Sequence, residues 1–111
     1  MEVDSYSLAG RGTMSVVIRD IVIQNALGLH ARPAMQFVDL ANQFASDIIV
    51  EKPLADGVEE AVTVDGKSVM QMITLEATQG TKLQVRAQGE DAEAAVEQLA
   101  KLVDEKFGEE E

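Results

Sequence analysis

Cysteine is absent from this 111-residue chain. That excludes a disulfide framework, thiol chemistry and any cysteine-ligated zinc. A single histidine, His30, excludes a histidine-rich metal site as well. No metal and no cofactor are therefore expected. Tryptophan is missing, and the aromatics are three Phe and one Tyr. The core must be built from Val, Ile, Leu, Ala and Met, and the 46% hydrophobic content is enough for a globular fold. Positive charge is scarce: nine Lys and Arg face twenty Asp and Glu, for a net charge of −11. Such a surface repels phosphodiester backbones and anionic lipid, so nucleic acid is not an expected partner. One local anion site remains compatible with it. No apolar run approaches the ~20 residues of a membrane span, so direct membrane insertion is not expected. The first residues are acidic and carry no apolar signal core, so the expected location is the cytoplasm. The length suits one domain, and a monomer is expected.

Three segments divide the chain. Residues 1–14 are polar and aperiodic and read as a flexible N-terminal tail. Residues 15–107 form the domain, and 108–111 read as a solvated acidic tail. Within the domain, Val16 to Ile23 is rich in Val and Ile and predicts a strand. Asn25 and Gly28 punctuate a turn. From Ala31 to Phe44, the apolar residues Ala34, Phe37, Val38, Ala41 and Phe44 recur at helical spacing. Short strands are predicted at Ile48 to Val50 and Ala61 to Val64, joined by a loop containing Pro53 and Gly57. Ser68 can cap a short helix carrying Val69, Met70, Met72, Ile73 and Leu75. Gly80 ends that segment, and Thr81 to Ala87 alternates as a fourth strand. Asp91 is placed to cap a last helix with Ala92, Ala95, Val96, Leu99, Leu102 and Val103 on one face. The order β-α-β-β-α-β-α predicts an α+β open-faced sandwich, a four-stranded antiparallel sheet with three helices on one face.

His30 lies in Gly28-Leu29-His30-Ala31-Arg32-Pro33-Ala34. It follows a strand and a glycine turn and stands where a helix begins. Pro33 falls in the first turn, where backbone N–H groups lack intrahelical partners anyway. His30 is thus at or beside the N-cap. The free N–H groups and the helix dipole make an anion site there. Arg32 adds a planar, permanently charged donor fork two residues away. This setting suits an imidazole that accepts a phosphoryl group. Nearby positive charge favours the neutral, nucleophilic ring, and the same charges stabilise the transferred group. Spacing alone leaves a second reading open, in which His30 is an ordinary, partly exposed capping residue.

The run from Ile21 to Ala34 (IVIQNALGLHARPA) resembles the active-site signature of the histidine-containing phosphocarrier family, HPr, of the bacterial phosphotransferase system. A second run, Lys67 to Leu75 (KSVMQMITL), is similar to that family's serine-site helix, and Gln79-Gly80-Thr81 continues it in the family manner. The resemblance covers about residues 15–107. It implies that His30 accepts phosphate on Nδ1 from phospho-enzyme I, charged by phosphoenolpyruvate. His30 would pass it to the A components of sugar permeases, with Arg32 neutralising the phosphoryl group. A protein of this kind is a carrier in a relay, not an autonomous catalyst. The resemblance further implies that Ser68 is the target of an HPr serine kinase/phosphorylase, and that Lys67, Val69, Met70 and Ile73 contribute to partner docking.

Departures from the family pattern are an insertion of about seven residues within 53–61, containing Asp56, Glu59 and Glu60, and the residues Gln71 and Glu76 on the serine-site segment. An alternative of the same fold is a regulatory protein that acts through phosphorylation-dependent binding, including at Ser68, without sugar transport. A third reading, an enzyme using His30 as a general base, lacks an identifiable second catalytic residue.

Overall fold

The structure, a computed structural model, describes residues 15–54 and 60–109. The tail expected at 1–14, the loop residues Asp56, Gly57 and Glu59, and the last two glutamates lie outside the described residues. The elements are β1 (Ser15–Val22), α1 (Ala31–Ala41), β2 (Asp47–Lys52), β3 (Val62–Asp65), α2 (Val69–Ile73), β4 (Lys82–Gly89) and α3 (Ala92–Asp104), with a short 3-10 turn at Lys106–Gly108. They follow the predicted order.

The strands form one sheet in the order β1-β4-β2-β3, antiparallel throughout. Period-2 alternation decides which face is covered. On β4, Leu83, Val85 and Ala87 are buried, and Ile48 and Val50 continue that face on β2. The helices close over it. Helix α1 buries Pro33, Ala34, Phe37, Val38 and Ala41. Helix α3 buries Ala92, Ala95, Val96, Leu99, Ala100 and Val103, and its alanines let it lie close to the strands. Leu102, expected on that face, is only partly buried. The opposite face of the sheet is open, with Val16 and Ile18 half-exposed on β1.

Several boundaries differ from the sequence expectation, each for a local reason. Helix α1 stops at Ala41 rather than Phe44. There the Asn42 side chain donates to the carbonyl of Val38 at 3.0 Å, and Gln43 and Phe44 make the tighter bonds of a 3-10 turn to Leu40 and Ala41. Helix α2 ends at Ile73, with Leu75 buried in the turn beyond it. Asp91 is the N-cap residue of α3, but its side chain does not cap that helix. The carboxylate reaches across the fold, accepting from the amides of Ala45 (2.8 Å) and Ser46 (3.0 Å) and from the Ser46 hydroxyl. Those bonds, the hydroxyl first, hold its carboxyl below its ordinary value of 3.8 against the opposing effect of burial. Asp91 thereby fastens the α1–β2 connection to the start of α3.

Candidate phosphoryl-acceptor site

Two loops meet at one end of the sheet. The chain leaves β1 at Ile23, whose amide donates to Thr81 (3.0 Å) while its carbonyl accepts from Gly80 (2.8 Å). Further on, the amide of Leu29 donates to the carbonyl of Ala77 at 2.8 Å. The loop before α1 is therefore stitched along its length to the loop before β4. Gly28 makes this close approach possible, with φ at +73° and its α-carbon facing Ala77 and Thr78.

His30 is the N-cap residue of α1, with φ −81° and ψ −170°, and its side chain makes no capping bond. The amide of Ala34 donates to the carbonyl of His30 at 3.0 Å, and Pro33 has no N–H to give. Among the described residues, the amides of Ala31 and Arg32 are thus the unspent donors at the positive end of the helix dipole. Arg32 is exposed on the first turn, and among the described residues none forms an ion pair with it. The imidazole is about a third exposed (37%), accessible from one side and held from the other.

The holding groups are two residues that the sequence did not assign to the site: Asn25, read as turn punctuation, and Glu109, read as part of the tail. Asn25 is fully buried. Its Nδ2 donates to the carbonyl of Gly28 (2.7 Å) and to Oε1 of Glu109 (2.9 Å). Both neighbours accept only, so the nitrogen of the amide must face them. The second oxygen of Glu109, Oε2, lies 2.9 Å from His30 Nε2. Glu109 was expected in a solvated tail, and the structure corrects this: its side chain is three-quarters buried between Asn25 and His30. The Asn25 amide first, then the His30 ring and the charge of Arg32, hold its carboxyl below the ordinary 4.5, opposed by burial. The only sequence signal for Asn25 is its place as turn punctuation between β1 and Gly28. Nothing local points to Glu109.

The second group of expected residues lies on and before α2. Ser68 is the N-cap residue, and its Oγ accepts from the amide of Gln71 at 3.2 Å. The Gln71 side chain turns back and accepts from the amide of Asp65 at 2.9 Å, tying the short helix to the end of β3. This is a relative of the capping box, with the returning bond displaced three residues upstream. Met70 is 78% exposed and Ile73 41%. Val69 is half-buried against the core. Lys67 is half-buried, and its ammonium donates to the carbonyl of Phe44 at 2.7 Å, so it joins α2 to the end of α1.

A family model described as the PTS HPr component phosphorylation site matches residues 17–105. The phosphocarrier protein HPr of Borreliella burgdorferi is 39% identical over 89 residues, which cover 80% of this chain and 95% of that protein. The HPr-like protein Crh of Bacillus subtilis is 40% identical over 90 residues, 81% of this chain and 98% of that one. Among solved structures, HPr-C-His from Thermoanaerobacter tengcongensis superposes with a TM-score of 0.75 at 40% identity, covering 86% of this chain and 99% of that one.

Proposed function

The chain belongs to the HPr family of phosphocarrier proteins, and from that premise we propose that His30 is its phosphoryl acceptor, charged by phospho-enzyme I and discharged to the A components of sugar permeases. The observation that carries this reading is the position of His30. Its ring is partly exposed at the N-terminus of α1, does not cap, and leaves the amides of Ala31 and Arg32 free. The lone pair of Nδ1 attacks phosphorus, and the bond from phosphorus to the donor breaks. The free amides, the helix dipole and Arg32 stabilise the charge spread over the phosphoryl oxygens. Transfer onward reverses the same step. The chain supplies the acceptor and the positive end of a helix, while the donor and recipient proteins supply the rest of each active site. The domain that does this starts at Ser15 and includes Glu109, which packs against Asn25 and His30. The exposed Met70 and Ile73 give these partners an adaptable apolar contact.

The test is intact-protein mass after incubation with enzyme I and phosphoenolpyruvate. One phosphoryl adduct is expected, removed by mild acid and absent in His30→Ala, whose melting temperature stays near that of the wild type. Arg32→Glu folds and accepts phosphate more slowly. A persistent adduct in His30→Ala would refute the site, and equal rates in Arg32→Glu would remove Arg32 from the mechanism.

A regulatory reading has one observation in its favour, the half-exposed Ser68 hydroxyl at the N-terminus of α2. A phosphate there adds about −2 of charge beside Met70 and meets the amide of Gln71 that the hydroxyl now caps. Incorporation of phosphate from ATP by an HPr serine kinase/phosphorylase, lost in Ser68→Ala and accompanied by slower charging of His30, is the outcome that reading requires.

A further inference from the structure

The chain arrives at the acceptor histidine from α3 by a backbone path that side chains disfavour. Lys106 (φ +59°), Phe107 (φ +56°) and Gly108 (φ +80°) are left-handed in succession. Two of the three carry side chains, and such strain persists only where the surroundings enforce it. Here burial of Phe107 enforces it, since its ring is 3% exposed and belongs to the core. The product of the turn is the placement of Glu109 between Asn25 and His30.

We propose that Glu109 is a positioning residue for His30, accepting the Nε2–H bond so that the ring presents a bare Nδ1 lone pair to the incoming phosphoryl group. This rests on the reading of His30 as the acceptor through Nδ1. A carboxylate only accepts, and a neutral imidazole has a single N–H. At 2.9 Å the N–H must therefore sit on Nε2. Asn25 Nδ2 holds the other carboxylate oxygen, so the bond has a fixed direction. When phosphorus bonds to Nδ1 the proton stays on Nε2, the ring gains positive charge, and the adjacent carboxylate offsets it. When the phosphoryl group leaves, the ring returns to the same tautomer with no proton to relocate. The arrangement has the logic of the carboxylate behind the histidine of a hydrolase triad, applied to a carrier.

The test has two independent readouts on the full chain. The first is ¹⁵N NMR of the His30 ring at pH 8 in wild type, Glu109→Ala and Glu109→Gln. Wild type is expected to show a single Nε2–H tautomer. Glu109→Ala shifts both nitrogens toward a tautomer mixture, and Glu109→Gln, which has one acceptor oxygen for the two donors Asn25 Nδ2 and His30 Nε2–H, falls between wild type and Glu109→Ala. The second is the rate of charging by phospho-enzyme I, expected to fall about two- to fivefold in both variants, the worth of a half-exposed charged pair. An unchanged spectrum in Glu109→Ala overturns the proposal. So does faster charging of that variant, which would make Glu109 an obstruction. A wild-type protein that is never charged would instead overturn the acceptor reading, and the spectrum would still report whether Glu109 holds the ring.

Discussion

Replacing Gly28 by alanine separates two physical costs that this fold imposes at one residue. The first is conformational: at φ +73° an L-residue is in the left-handed region, which costs about 1–2 kcal/mol. Against this, alanine restricts the unfolded chain and returns about 0.4–1 kcal/mol. The second is steric. A Cβ at Gly28 would lie 2.6 Å from the carbonyl oxygen of Ala77 and 2.9 Å from the Cα of Thr78. These are backbone atoms, and that carbonyl already accepts from Leu29 at 2.8 Å, so the two loops must move apart. Overpacking of this kind costs about 1–3 kcal/mol. The expected loss for Gly28→Ala is therefore about 2–4 kcal/mol, a drop in melting temperature of roughly 10–25 °C. Gly80 is the internal control. Its φ is +88°, yet nothing lies within 4 Å of a built Cβ, so Gly80→Ala bears the conformational cost alone, about 1 kcal/mol. Urea titrations followed by circular dichroism measure both, with unchanged slopes expected. Charging of His30 should also slow in Gly28→Ala, because the displaced loop carries the N-cap. Two variants of equal stability, within about 0.5 kcal/mol, would refute the claim that the loops are packed in contact.

Two further outcomes follow from residues far from His30 in sequence. Phe107→Ala removes a buried ring and should cost about 3–5 kcal/mol in urea denaturation. It should also loosen the turn that carries Glu109 and give the ¹⁵N signature of Glu109→Ala, and a wild-type spectrum would show that Phe107 does not hold that turn. Asp91 has a carboxyl lowered in the folded state, so its stabilisation is present above the unfolded value near 3.8 and is lost as pH falls through the lower folded value. Between pH 5 and pH 2, Asp91→Asn should therefore lose less stability than wild type in acid unfolding, and parallel curves would count against the link from Asp91 to Ala45 and Ser46. Glu109 titrates in the same direction, so the comparison is repeated in the Glu109→Gln background.

Most of the architecture was legible along the chain because local periodicity is enough to write it. Alternation marked β4, and helical spacing marked α1 and α3. Gly28 and Pro33 bracketed a helix start that put His30 at its N-cap, where the structure has it. The serine cap of α2 was legible for the same reason, since Ser68 and Gln71 are three residues apart. What stayed illegible is every polar contact that joins distant segments. Asp91 stands at the predicted N-cap but serves Ala45 and Ser46. Lys67, expected from the resemblance to take part in partner docking, donates to the carbonyl of Phe44 in the turn after α1.

The histidine shows the division most clearly. Its place at the N-cap of α1, beside the first amides of that helix, belongs to a short stretch whose backbone preferences settle it. Its partner Glu109 lies 79 positions away. Their meeting depends on the strand order, on α3 packing over the sheet, and on Phe107 filling a core site that forces the backbone left-handed. Periodicity records which face of an element is buried, but it carries no term for which polar group on another element will be opposite. That pairing is decided by the packing of the whole domain, because only burial of the shared core brings such distant residues within hydrogen-bonding distance.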